Sequence, residues 1–283
     1  MTAGVIDLSA RGRLSLRGAD RVRFLQGMVT NDVEQLPVGG SLRAAMLTPK
    51  GRVVADMLVL KLEDSFLVTT DASLREKLRE AFDRHIIMDE VTLEDVTDTT
   101  GEIAFYGARP LPVDGLWVVR APLGLHLVGE RDACARALAS LVASGVAPLS
   151  DAAVEIMRVE RGVARYGAEI SEEVLPLEAG LDDAISHTKG CYVGQEPVAR
   201  VTARGHVNKK IVGLVCAAPV EVGDVVAAPD RPDAGVVTSA VQSPALGKPI
   251  ALAYLHRKLW EPGTRVTVAG VDAEVAGLPL VKW

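Results

Sequence analysis

The sequence predicts an α+β fold that ends in a small all-β unit, and three observations predict it. Residues before about 206 alternate strand-like runs with amphipathic helical patterns. Beyond Arg204-Gly205 the texture changes to short strands punctuated by Gly and Pro, the spacing of a small barrel or sandwich. At 283 residues, 48% of them hydrophobic and 24% charged, the chain can bury more than one substantial core. The division is placed accordingly at 1–205, an α+β region, and 206–283, the β unit.

The elements follow in order. Val53 to Leu62 and Ser65 to Thr70 are β-rich runs joined across Glu63-Asp64, a hairpin. Asp71 then caps a helix in which Leu74, Leu78 and Phe82 recur every four residues while Arg75, Lys77 and Arg79 face solvent. A second strand pair is read over Leu116 to Arg120 and Leu125 to Val128, with its turn around Pro122 and Gly124. Asp132 to Val142 carries a small-residue apolar face of Ala133, Ala137, Leu138 and Leu141, and Asp151 to Arg161 continues as a helix until Gly162. From Gly167 to Val201 the chain reads as irregular, too long to be an idle connection, and long ordered loops concentrate binding residues. The β unit is read as strands at Ile211 to Cys216, Val225 to Ala228, Gly235 to Ala240, Ile250 to Tyr254 and Arg265 to Val268.

Composition excludes several functions. A net charge of -6 argues against broad nucleic-acid binding, and no apolar run approaches the roughly 18 residues of a membrane helix. Asp7, Arg11, Arg13 and Arg17 leave no apolar block for a secretory signal, and three scattered cysteines form neither a disulfide framework nor a CxxC pair, so a reducing cytoplasm is the expected location. No GxGxxG follows a strand, no Walker lysine follows Gly190 to Gly194, and His187 with Cys191 lacks partners for a metal set. His85 is read as a helix-end cation, and nothing singles out His126 or His256.

Chemistry concentrates in Lys189-Gly190-Cys191-Tyr192-Val193-Gly194-Gln195-Glu196. A reactive thiol requires a nearby cation, and Lys189 stands two residues from Cys191, the one cysteine set among polar and glycine neighbours. Cys191 is therefore the expected functional thiol and Lys189 its activator, with Arg200 adding positive charge nearby. Cys134, on an apolar helix face, and Cys216, at a strand end, are expected to be structural. Taken alone, Asp56 and Glu160 read as solvated or ion-paired acids.

These residues resemble the folate-binding YgfZ family, relatives of the glycine-cleavage aminomethyltransferase (T-protein). The resemblance runs through Phe24-Leu25-Gln26-Gly27, Thr30-Asn31-Asp32, Leu47-Thr48-Pro49-Lys50-Gly51, Glu160-Arg161-Gly162, Lys189 to Glu196 with Val198-Ala199-Arg200, Ser243 to Lys248 and Ile250 to Tyr254. It implies an aminomethyltransferase-like, multi-lobed folate-binding fold with a C-terminal small β-barrel, the 1–205 region forming two lobes around a folate and the barrel closing one side.

The resemblance also implies tetrahydrofolate or a derivative as cofactor. It recasts Glu160 as the carboxylate that receives the pterin's amino and ring N–H donors. Asn31, Asp56, Tyr166, Gln195, Glu196 and Arg200 are the further expected folate contacts, Arg200 and Lys189 suiting its glutamyl carboxylates. The implied role is accessory: support of iron-sulfur cluster assembly or repair, and through it of cluster enzymes such as those that modify tRNA. Partners would be iron-sulfur proteins or cluster-assembly factors, with no direct nucleic acid and no membrane. The alternative is a folate-dependent aminomethyltransferase or demethylase. Two departures from the aminomethyltransferase pattern weigh on the choice: Ala55-Asp56 stands where those enzymes carry adjacent aspartates, and Arg161 replaces a small residue.

Overall fold

The computed structural model describes residues 4–107 and 113–282. They form two compact units, 1–149 with 183–197 and 150–182 with 198–283. The first unit therefore contains a segment that returns from beyond the start of the second.

The first unit opens with β1 (Gly4–Asp7), β2 (Gly12–Arg17) and helix α1 (Arg21–Met28), which buries Phe24, Leu25 and Met28. Strands β3 (Ser41–Leu47), β4 (Val53–Lys61) and β5 (Ser65–Thr70) follow, β4 and β5 pairing antiparallel from Met57 opposite Thr70 to Lys61 opposite Phe66. This is the hairpin expected across Glu63-Asp64. The Asp71 carboxylate accepts the Ser73 N–H at 2.9 Å, but it caps a short 3-10 turn, Ala72–Leu74, that leads into α2 (Arg75–Asp83). Leu74, Leu78 and Phe82 are fully buried, as their four-residue spacing requires.

Next come β6 (Thr92–Asp95), β7 (Thr100–Tyr106), β8 (Leu116–Ala121), β9 (Gly124–Glu130), α3 (Arg131–Ala143) and the two-residue β10 (Ala147–Pro148). Two five-stranded sheets result, ordered β3-β4-β5-β2-β6 and β10-β1-β7-β9-β8. Helix α3 packs Cys134 and Ala137 onto Val5, Ile103 and Leu127 of the second sheet.

In the second unit, α4 (Asp151–Arg161) starts where the Ser150 hydroxyl accepts the Ala153 N–H at 3.3 Å, and it stops at Gly162, whose φ of 69° is left-handed. Helix α5 (Gln195–Arg204), whose first three residues belong to the first unit, lies in the stretch read as irregular. The reason is Pro197, which reads as a breaker but sits in the first turn, where no intrahelical N–H is needed. Strands β11 (Lys209–Cys216), β12 (Val225–Ala228), β13 (Arg231–Ser243), β14 (Lys248–His256), β15 (Arg265–Val268) and β16 (Val271–Ala276) close into a six-stranded barrel, ordered β11-β14-β13-β12-β15-β16. Pairing of β11 with β16 closes it, around a core that includes Leu214, Val226, Ala251, Ala253, Leu255 and Val268. Strand β16 is the barrel strand the sequence reading lacks. No described helix is long and apolar enough to cross a membrane.

Candidate functional site

In the first unit the Asp183 to Gly194 loop is fastened to the end of α1 and the start of the β3–β4 hairpin, so the sequence motifs meet there. Thr30 is the central fastening. Its hydroxyl donates to Ala184 O at 2.6 Å and accepts the Ala45 N–H at 2.9 Å, while its carbonyl accepts the Ser186 N–H at 3.0 Å. The Val193 N–H reaches Gly27 O at 3.1 Å. Gly194 has a φ of 81°, and a Cβ there would stand 2.5 Å from Thr48 O, so only glycine lets the loop press onto the Leu47-Thr48 backbone. Gly190 has open space around the same position and is under no such constraint.

Lys189 is 8% exposed, and its ammonium donates to the carbonyls of Gln26 at 2.6 Å, Val29 at 2.7 Å and Asn31 at 2.8 Å. All three N–H donors are thus engaged, and the side chain that adjacency assigns to the Cys191 thiol instead clamps the loop to the C-terminal end of α1. Burial pushes the Lys189 ammonium down to about 8, against the pull of Asp32 and Glu34. Cys191 is exposed, whereas Cys134 and Cys216 are buried and their thiols are pushed up by burial, Cys216 to about 11.

Asn31 directs its amide donors to Arg43 O at 2.8 Å and Asp183 O at 3.1 Å, and its side-chain oxygen accepts the Asp32 N–H at 2.9 Å. The side chain thereby ties the loop to β3. Asp56 projects from β4 and pairs with the Arg43 guanidinium at 3.0 Å, and Arg43 also lies 3.6 Å from Asp183. Its neighbour Ala55 is fully buried. The structure thus joins Asn31, Asp56 and Lys189 in one network under the Cys191 loop. Gln195, half-buried, and Glu196 and Arg200, both exposed, lie on α5, Glu196 and Arg200 one turn apart on the same face.

In the second unit Glu160, 4% exposed at the end of α4, accepts the Ser243 hydroxyl at 2.5 Å, and its main-chain carbonyl accepts the Val281 N–H at 2.9 Å. Two residues earlier in α4, Arg158 donates to Glu155 and Glu169 and to the Ser239 hydroxyl at 2.5 Å, and Ser239 donates to Glu169 at 2.6 Å. Tyr166, half-buried, follows in the stretch that bridges to Ile170.

Two features escaped the sequence reading. Ser243 is one; its motif is visible in the sequence, but its partner lies 83 positions away. The other is a buried charge cluster in the first unit: Glu102 receives His126 Nδ1 at 2.6 Å, with Arg11 at 3.5 Å and Arg13 at 3.7 Å. Burial alone raises the Glu102 carboxyl, but Arg11, His126 and Arg13 outweigh it and hold it at about 2. Alternation offered no signal, since Ile103 and Leu127 mark the apolar face of β7 and β9 and Glu102 and His126 fall on the opposite one. Among the described residues no group of His, Cys, Asp and Glu is arranged to hold a metal.

Comparison with known proteins agrees with this architecture. Residues 1–111 match the GCVT N-terminal domain and residues 209–282 the glycine cleavage T-protein C-terminal barrel domain. An aminomethyltransferase of Rubrobacter xylanophilus is 32% identical over 99% of this chain and 83% of its own length, and one of Listeria monocytogenes is 27% identical over 99% and 87%. The crystal structure of the glycine cleavage system aminomethyltransferase T from Bartonella henselae superposes with a TM-score of 0.88, covering 99% of this chain and 86% of that one. At 22% identity that likeness establishes the fold alone. Two domain matches in order and a full-length relative at 32% identity show that the chain belongs to the aminomethyltransferase (glycine-cleavage T-protein) superfamily.

Proposed function

We propose that this protein binds tetrahydrofolate or a derivative and handles a one-carbon unit on it, as a folate-dependent transferase of the aminomethyltransferase type. Glu160 carries the reading. It is a buried carboxylate held at the end of a capped helix by Ser243. A pterin presents an amino group beside a ring N–H, a donor pair that suits a fixed carboxylate, so the residue fits the group. Bound tetrahydrofolate supplies the nitrogens that accept a one-carbon unit. Glu160 would orient the pterin, Tyr166 would add a contact, Arg200 would meet the glutamyl carboxylates, and Asp56, paired with Arg43, would be the acid that serves the donor amine. The aminomethyltransferases of Rubrobacter and Listeria support this direction of chemistry.

A second reading has its own observations. Cys191 is the exposed cysteine of the three, Ala55 stands where the resemblance expects a second acid, and Asp56 is occupied by Arg43. These favour a YgfZ-type accessory role in iron-sulfur cluster maintenance in the cytoplasm, with Cys191 engaging a sulfur species or a thiol of a cluster-assembly partner.

Anaerobic calorimetry with tetrahydrofolate tests what both share: micromolar-range binding, about -8 kcal/mol, that disappears in Glu160→Ala. Absence of binding to the unaltered protein rejects both. Methylene-tetrahydrofolate formation from an aminomethyl donor, abolished by Asp56→Asn, selects the transferase. Loss of cluster-enzyme activity in cells carrying Cys191→Ser, without folate turnover, selects the accessory role.

A further inference from the structure

We infer that Ser243 is a positioning residue for the Glu160 carboxylate, fixing its orientation for the pterin. The inference rests on the folate reading of Glu160. Ser243 is fully buried at the end of β13, where Ser243-Pro244-Ala245-Leu246-Gly247-Lys248 turns into β14. The turn is closed by the Gly247 N–H to Ser243 O at 2.9 Å and by pairing of Ser243 with Lys248.

The hydroxyl has two partners of opposite kind. The Leu246 N–H donates to it at 3.1 Å, and it donates to Glu160 Oε1 at 2.5 Å. Because an amide N–H occupies one of the oxygen's lone pairs, the single hydroxyl proton is aimed at the carboxylate. The Ser-Pro-Ala-Leu-Gly motif is thereby a device that sets the direction of one O–H bond.

The rest of the strand makes this more than a chance contact. Ser239 and Ser243 are four residues apart on β13, hence on one face, and each meets a charged residue of α4: Ser239 meets Arg158 and Ser243 meets Glu160. The strand fixes α4 at two points, and both are hydroxyls. A carboxylate at the end of a flexible side chain otherwise rotates among several orientations. With one oxygen tied, the plane of the group is set before ligand arrives, and the ordering cost is removed from binding.

The test measures tetrahydrofolate affinity of Ser243→Ala, Ser243→Cys and Glu160→Ala, and runs a double-mutant cycle on thermal melting with Ser243→Ala, Glu160→Ala and Ser243→Ala/Glu160→Ala. Loss of a hydrogen bond to a charged group corresponds to about tenfold weaker binding in Ser243→Ala. Ser243→Cys, which fills the space with a poor donor, is expected to weaken binding similarly. In the Glu160→Ala background, where the carboxylate that accepts the hydroxyl is gone, the serine change should lower the melting midpoint no further, which a general packing defect would not reproduce. Ser243→Ala or Ser243→Cys binding as tightly as the unaltered protein, while Glu160→Ala fails to bind, overturns the positioning role and leaves the folate site standing. Glu160→Ala binding like the unaltered protein overturns both.

Discussion

Replacing Glu102 by Gln in the first unit removes one negative charge from a site that holds three cationic or proton-sharing neighbours. The side chain is fully buried, with His126 Nδ1 at 2.6 Å and the guanidinium groups of Arg11 and Arg13 at 3.5 and 3.7 Å. The latter two distances are too long for hydrogen bonds, and Glu102 Oε2, Arg13 Nη1 and Arg11 Nε have no hydrogen-bond partner among the described residues. Hydrogen bonds to Thr100 and to the carbonyls of Ser9 and Thr97 hold Arg13 in place, so attraction across the gap is what couples it to Glu102. The carboxyl falls from 4.5 to about 2 on folding, and at about 1.4 kcal/mol per unit the carboxylate contributes about 3 kcal/mol of stability at neutral pH. Because the folded value is depressed, that contribution is complete above 4.5 and disappears as pH falls toward 2. Glutamine keeps the shape but leaves the Arg13 guanidinium, itself fully buried, without a counter-charge.

Urea unfolding at pH 7, with hydrogen exchange at the Ile103 and Leu127 amides to localise the loss to this sheet, measures the effect. Glu102→Gln should be about 3 kcal/mol less stable at pH 7, and the difference should fall to less than half by about pH 3. A difference below about 1 kcal/mol at pH 7, or one that does not shrink with acid, would refute the electrostatic account.

Three further outcomes follow from the Cys191 loop and the cysteines. Burial lowers the Lys189 ammonium from 10.5 to about 8, so stability contributed by this group rises across that window and denaturation midpoints should climb there relative to Lys189→Met; a flat comparison would mean that the three carbonyls hold the ammonium against burial. Gly194→Ala, with its left-handed backbone and a Cβ 2.5 Å from Thr48 O, should cost about 2 kcal/mol or more and speed thiol labelling of Cys191, both read by melting and modification kinetics. An aromatic disulfide reagent should titrate one thiol per native chain rapidly, and that signal should vanish in Cys191→Ser with stability changed by less than about 0.5 kcal/mol.

Much of the fold was legible where periodicity and turn chemistry act locally. Leu74, Leu78 and Phe82 announce a helix face, and Glu63-Asp64 lies between two β-rich runs that pair as read. Helix α5 was hidden because Pro197 between Gly194 and Gly205 signals a loop unless its place in the first turn is known. Strand β16 was hidden because its buried residues, Ala273 and Val275, are few and alternate with Asp272 and Glu274. At the site, residue types were legible and their directions were not. Two positions separate Lys189 from Cys191, yet a lysine's four-carbon stem reaches well past its neighbours, and its acceptors at Gln26, Val29 and Asn31 are supplied by tertiary structure. Glu102 and His126 likewise became a pair only through the register of β7 and β9, which places Glu102 opposite Val128 and Ala104 opposite His126.

The lysine clamp also sets an order of events during synthesis. Its acceptor carbonyls belong to the first thirty-one residues, but its donor is the 189th, and the unit they share includes 183–197 while omitting 150–182. A nascent chain that has emerged only as far as Leu149 carries a ring of three carbonyls with no cation to fill it. Completion of the first unit therefore waits on a stretch translated after α4, and at about 5–20 residues per second that delay is several seconds. A shortened polypeptide ending near 150 would lack the clamp altogether, so severing the chain there divides the first unit as well as separating it from the second.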